Sequence, residues 1–431
     1  MKVISFSSAA QTMTYLPPEL IEVVGFYLKH NRPITTAQRD LWSCCLVSHE
    51  WYAATIKHLY EAPHLTSRNF PEFARTLCPA IRDHVRQVGL ENFVQYLDMG
   101  RLAYESKKSV TTRLISRTKP SLKSFIAPAV SFSVTSLAPL SKCSKLEYLD
   151  LSRDSYTFTL SQLMHAIKGL ASLTSLSLPR DCLNQNRDTN YRSMEQQGKS
   201  FWPPSLAVLE INDQHLEPSA WEWKYFLSSL PASTRMLIFA NCSEYDTFDN
   251  IVSAEELVPQ ITTLSITVHR SDDMYYLNHI VQPFPNLTKL TIPAITSWEF
   301  KNFFILSYAT HAQNTANRPW TISAPCKLEA LVLEQSPDFV SSSHIKPYDI
   351  SRFVEECPAL LRIEVPEAYL NLDDDDNLLD ELDDVLSRRA AKRRSDKLTN
   401  IKADRVGIFT IPAQVAPSVG MKRSFRYRGE G

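Results

Sequence analysis

One short phrase, apolar-x-x-apolar-x-apolar, recurs about every 31 residues along this 431-residue chain, and nothing else limits its folding so strongly. It starts at Val85 (Val88, Leu90), Leu122 (Phe125, Ala127), Leu146 (Leu149, Leu151), Leu173 (Leu176, Leu178) and Leu206 (Leu209, Ile211). It returns at Thr234 (Leu237, Phe239), Ile261 (Leu264, Ile266), Leu287 (Leu290, Ile292), Leu328 (Leu331, Leu333) and Leu360 (Ile363, Val365). The intervals are unequal, and Pro or Ser often stands just before the phrase. Alternation within each phrase turns two apolar side chains inward and their neighbours outward. Helix-like stretches lie between phrases, at 160–170, 219–230, 274–281, 297–309 and 349–357. A strand and a returning helix, repeated, stack into a solenoid with a curved parallel sheet on one face. No unit buries its apolar side alone, so the array folds together. The expected class is α/β, with a layered sandwich of helices on one sheet as the alternative.

That register names the outward positions: Tyr148 and Asp150, Ser175 and Ser177, Glu210 and Asn212, Met236 and Ile238, Thr263 and Ser265, Lys289 and Thr291, Val332 and Glu334, Arg362 and Glu364. Solenoids bind partners on such a surface, with a few aromatic or charged anchors supplying most of the energy. Tyr148, Asp150, Glu210, Asn212, Met236, Lys289, Glu334, Arg362 and Glu364 are therefore the expected contacts for a captured protein.

Composition removes other classes. Lys plus Arg (46) almost cancels Asp plus Glu (47), which argues against a chain built for nucleic acid or an acidic membrane surface. The nine glycines form no phosphate-cradling loop and no Gly-x-Ser-x-Gly elbow. The eight cysteines form no Cys-x-x-Cys pair, and no His-Glu-x-x-His run is present to hold zinc. Scattered thiols suit a reducing compartment, cytoplasm and/or nucleus, and no stretch reaches the length of an apolar membrane span. The expectation is a non-catalytic protein with no cofactor and no metal.

The first sixty residues read differently. Leu16-Pro17-Pro18-Glu19-Leu20-Ile21 opens a helix, since proline is tolerated in a first turn and Glu19 suits the positive end of the helix dipole. Leu16, Leu20, Val24 and Leu28 recur every four residues, with Ile21 widening the stripe. A second helical pattern runs over 38–50, and Val47, Trp51 and Ala54 continue it towards Leu59 and Tyr60.

Those residues, together with Asp40-Leu41-Trp42-Ser43-Cys44-Cys45-Leu46-Val47-Ser48-His49-Glu50-Trp51, closely resemble the F-box, in the form common among F-box proteins of filamentous fungi. The link around 29–38 is longer than the usual F-box has. The resemblance implies helices that dock on a Skp-type adaptor, which joins them to a cullin scaffold. Leu16, Pro17, Leu20, Ile21 and Val24 would face that adaptor, with Leu46, Val47 and Trp51 completing or supporting the surface. Trp51 suits core packing equally well.

The repeats in turn resemble the irregular leucine-rich repeats often found behind an F-box. They lack the steady Asn or Cys of that family, which implies a less regular curve. The expected layout is a leader at 1–13, an F-box at 14–62, a solenoid at 63–369 with a polar loop near 184–200, and a charged cap or tail at 370–431. The resemblance implies a substrate receptor of a Skp-cullin-F-box ubiquitin ligase. The alternative is a non-degradative interaction scaffold.

Overall fold

The computed structural model describes residues 16–79, 89–102, 108–153, 158–180, 182, 201–212, 220–242, 258–268, 283–293, 327–334, 347–367, 376–396 and 405–411. The phrase at Val85 and Val88 and the helix-like stretches 274–281 and 297–309 lie outside the described residues, as do the leader 1–13 and the loop 184–200.

Four helices come first: α1 (Pro18–Asn31), α2 (Ile34–Cys45), α3 (His49–Glu61) and α4 (Phe70–Leu77). Prolines start the first two. The Pro17 carbonyl accepts from the Leu20 and Ile21 amides at 3.0 and 3.2 Å, and the Pro33 carbonyl accepts from Thr36 and Ala37 at 2.9 Å. Two sequence expectations change here. The link between α1 and α2 is only Arg32-Pro33, so it is short. The pattern over 38–50 is not one helix, because Ser48 takes an extended conformation and its hydroxyl caps α3 by accepting from the Trp51 amide at 3.3 Å.

Beyond a 3-10 turn at Leu90–Phe93, eleven parallel strands follow in chain order: β1 (Tyr96–Asp98), β2 (Ser124–Ile126), β3 (Tyr148–Asp150), β4 (Ser175–Ser177), β5 (Val208–Asn212), β6 (Met236–Cys242), β7 (Thr263–Val268), β8 (Lys289–Pro293), β9 (Ala330–Glu334), β10 (Arg362–Pro366) and β11 (Gly407–Ile411). Each strand pairs with the one before and the one after it. Helices α5 (Lys108–Thr118), α6 (Val134–Leu140), α7 (Leu160–Ile167), α8 (Ala220–Ser229) and α9 (Pro347–Glu356) return the chain between strands. The α/β solenoid anticipated by the phrase is the fold.

The registers explain why the phrase has its form. The central apolar residues Leu97, Phe125, Leu149, Leu176, Leu209, Leu237, Leu264, Leu290, Leu331 and Ile363 pair side by side in one row, all of them buried. Each contributes about 1.5–3 kcal/mol by leaving water. The helices supply the opposing layer, with Leu114, Ile115, Leu163, Ile167 and Leu227 in the same core. The residue that opens each phrase forms the turn into the strand. Amides of Leu146, Leu173, Leu206, Thr234, Ile261, Leu287 and Leu360 each donate to the carbonyl three residues back.

Successive units are stitched by hydroxyl donors in place of an asparagine ladder. Thr174 donates to the Glu147 carbonyl, Thr234 to Leu206, Thr262 to Arg235 and Thr288 to Thr262, at 3.0–3.4 Å.

The C-terminal end is closed by α10 (Asp376–Ser395), which buries Leu382, Leu386 and Ala390. Arg389 donates to the Cys357 carbonyl at 3.1 Å, and Arg393 to the Ala359 carbonyl at 2.9 Å and to Glu329 at 2.8 Å. The basic cluster of this helix is thus partly spent on capping backbone that the last units leave open. Strand β11 was not foreseen, since 406–411 lacks the phrase. It begins at Gly407, whose φ of 121° favours glycine and where a Cβ would run into the Asp383 carboxylate.

Candidate functional site

Helices α1 to α3 form a small bundle with one side left open. On α1, Ile21 and Gly25 are buried, and a Cβ on Gly25 would come within 2.9 Å of the His58 ring of α3. On the other helices Leu41, Cys45, Thr55, Ile56 and Leu59 are buried, and Thr55 donates to the Trp51 carbonyl at 2.6 Å. Lys29 pairs with Glu61 at 2.6 Å, and Lys57 pairs with Glu22, so two ion pairs span α1 and α3. Leu59 and Leu65 join Val94 and Leu97 in the main core, and the Gln95 amide donates to the Glu61 carbonyl at 3.0 Å. The bundle is therefore seated on the first strand and does not hang from a linker.

Its outward side is apolar. Leu16, Leu20, Val23, Val24, Phe26 and Tyr27 of the α1 region are exposed, as are Ile34 and Trp42 of α2, Leu46 and Val47 of the following turn, and Tyr52 of α3. Most of the exposed large hydrophobic residues among those described fall within this one segment, Leu46 and Val47 at 64% each. Such a concentration makes this side the candidate contact surface.

Of the expected adaptor-facing residues, Leu16, Pro17, Leu20, Val24, Leu46 and Val47 are exposed, and Trp51 is half-buried. Ile21 is corrected: at 1% exposure it is core. A helix turns about 100° per residue, so Leu20 stays in water while Ile21 rotates inward to the buried side that Gly25 shares. Sequence reasoning missed Val23, Phe26, Tyr27, Ile34, Trp42 and Tyr52. The available signal was apolar residues on more than one side of α1, which a single packed face does not require.

One buried group stands out. Among the described residues, the His58 side chain finds no hydrogen-bond partner for either ring nitrogen. Burial holds its pKa below the ordinary value, the Lys57 ammonium adds to this, and Glu61 opposes it.

On the solenoid, Tyr148, Asp150, Glu210, Met236, Glu334, Arg362 and Glu364 are half-exposed and Lys289 is exposed, all on the sheet face opposite the core row. Asn212 is corrected. It lies a step further along β5, opposite Ala240, and is fully buried. Ser177, Ser265, Thr291 and Val332 point outward in register yet are buried, because short side chains sink between neighbours on strands about 4.8 Å apart. Arg362 holds Glu364 at 2.6 Å and lies over the Phe409 ring at 4.1 Å.

Among the described residues no group of three His, Cys, Asp or Glu side chains is placed to hold a metal, and burial pushes the Cys143 thiol up to about 12. No described helix is long and apolar enough to cross a membrane.

No family model matches the chain. It is 27% identical to F-box protein YDR306C of Saccharomyces cerevisiae over 368 residues, covering 78% of this chain and 67% of that protein. It is 25% identical to Protein pof5 of Schizosaccharomyces pombe over 254 residues, covering 58% of this chain and 66% of the relative. The chain thus spans about two thirds of the length of these relatives. Among solved structures, the leucine-rich repeat-containing protein LegL7 of Legionella pneumophila aligns with a TM-score of 0.39 at 15% identity, over 64% of this chain and 82% of that one.

The described residues thus give leading helices with an open apolar side, seated on an ordered stack of parallel strands. More particularly, the similarity to a relative named as an F-box protein agrees with the resemblance that the leading residues of the chain carry.

Proposed function

We propose that this protein is the substrate-recognition subunit of a Skp-cullin-F-box ubiquitin ligase. The open side of α1 and of the turn between α2 and α3 binds a Skp-type adaptor, and the outer sheet face binds a target protein. The carrying observation is the cluster of Leu16, Leu20, Val24, Leu46 and Val47 in water beside a fully packed Ile21. The relative named as an F-box protein supports the same reading.

The role is positional. Holding a captured protein near a ubiquitin carrier makes transfer nearly intramolecular and raises the effective concentration of the reacting groups. No side chain of this chain takes part in bond making.

Replacing Leu16 with Asp and Pro17 with Ser is expected to abolish co-purification with the adaptor while the circular dichroism spectrum stays unchanged. Retained co-purification would count against the assignment. A reconstituted complex that binds the adaptor yet places no ubiquitin on co-bound proteins would favour a non-degradative scaffold.

A further inference from the structure

Charge on the outer sheet face is divided unequally. The two outward rows of β1–β5 hold Asp98, Asp150 and Glu210 and no cation, whereas β6–β11 hold Lys289 and an Arg362 already committed to Glu364 and Phe409. The acidic half also repeats itself. Tyr-Leu-Asp occurs at 96–98 on β1 and again at 148–150 on β3, with the register placing Asp98, Ile126 and Asp150 in one row. Tyr and Asp two apart on a strand share a face, so the same aromatic and carboxylate pair is presented twice.

Both carboxylates are held alike. Asp98 accepts from the Gly100 amide at 2.9 Å and Asp150 from the Ser152 amide at 2.8 Å. Among the described residues neither is in an ion pair. The nearby Arg153 spends its Nη1 on the Gly100 carbonyl. Glu210 continues the row two strands on, where Ser177 donates to it at 2.8 Å. Burial pushes the Tyr148 hydroxyl up, and Asp150, Glu210 and Asp98 each add to the rise, so their fields converge there.

The row identifies its occupant by geometry. Two strand steps separate successive carboxylates, roughly 10 Å, too far for one metal ion to bridge. An elongated partner is required, with positive charge at matching intervals. In a polyproline II conformation three residues complete one turn and span about 9 Å, which sets arginine or lysine on one side at every third position. A cation there meets a carboxylate and a tyrosine ring together, and arginine suits both.

We propose that the outer face of β1–β5 binds a basic, extended segment of the target protein, its cations seated at the Tyr96/Asp98 and Tyr148/Asp150 pairs and at Glu210. This rests on the sheet face being the cargo surface and adds the class of cargo.

The test uses the full chain with its adaptor and a short fluorescein-labelled peptide carrying arginine at every third position, separated by glycine and serine. Fluorescence anisotropy at physiological salt should show saturable binding. A peptide with the same arginines bunched together should bind about tenfold more weakly, as should the spaced peptide to the triple variant Asp98→Asn, Asp150→Asn, Glu210→Gln. Asparagine retains an acceptor for the Gly100 and Ser152 amides, and unchanged adaptor co-purification of the triple variant reports an intact fold. Equal binding of both peptides by the unaltered protein, or no binding of either, overturns the proposal without touching adaptor docking. Binding that emerges only on deleting 412–431, which carries Lys422, Arg423, Arg426 and Arg428, also overturns it and assigns the row to this chain's own tail.

Discussion

His58 and Gly25 show how tightly single residues set the bundle. With both ring nitrogens buried and without partners, His58 is held neutral in the folded state. Its pKa there lies below that of the unfolded chain, so its neutral packing is fully tolerated above the unfolded value. Stability falls as pH drops below about 6.5, because the unfolded chain then takes up the proton more readily. Chemical denaturation at pH 7.5 and pH 5.5 should show this loss, and His58→Leu should flatten it while raising stability at both values, since an apolar side chain leaves no orphaned nitrogen. Gly25→Ala drives a methyl towards the same ring and is expected to cost about 1–3 kcal/mol in that measurement. The sequence could not announce either effect. His58 sits at a helical spacing that suits a surface as well as a core, and the closeness of α1 to α3 is a property of the pair.

Within elements, α1 separates two roles one position apart. Leu20→Ala removes a side chain 50% exposed and should leave the melting temperature within about 2 °C while weakening adaptor co-purification. Ile21→Ala empties a packed site and should cost about 2–4 kcal/mol in thermal unfolding. Equal effects of the two on stability would refute the division between open and packed sides. The helix itself was legible from Pro17, Pro18 and the four-residue stripe. Which edge of the stripe meets α3 was not, because the stripe is wider than one contact face. The end of α2 was missed for a related reason: the apolar spacing runs on through Leu46 and Val47, whereas the break is set by the backbone at Ser48. At the other end of the chain, Arg393→Ala removes hydrogen bonds to the Ala359 carbonyl and to Glu329 and should lower stability by about 1–2 kcal/mol in urea unfolding.

Across the whole molecule, eleven strands in unbroken chain order make stability a matter of neighbours. Leu209→Ala, at the middle of the core row, should cost about 2–5 kcal/mol, and hydrogen exchange should quicken most at β4–β6 and little at β1 or β10. Uniform acceleration would mean that the array opens as one piece. The sheet was readable because the central residue of each phrase is apolar at every strand from β2 to β10. Strand β11 was not, because it is placed by α10 and by Gly407 against Asp383 and carries no phrase. Of the side chains expected on the open face, the long ones are at least partly exposed, whereas Ser177, Asn212, Ser265, Thr291 and Val332 are buried, since depth there depends on how the rows crowd one another. Unbroken order also bears on synthesis. A chain leaving the ribosome completes its helical plug first, and each later strand finds its only earlier partner already in place. Assembly can then advance like a zip, with α10 and then β11 joining after β10.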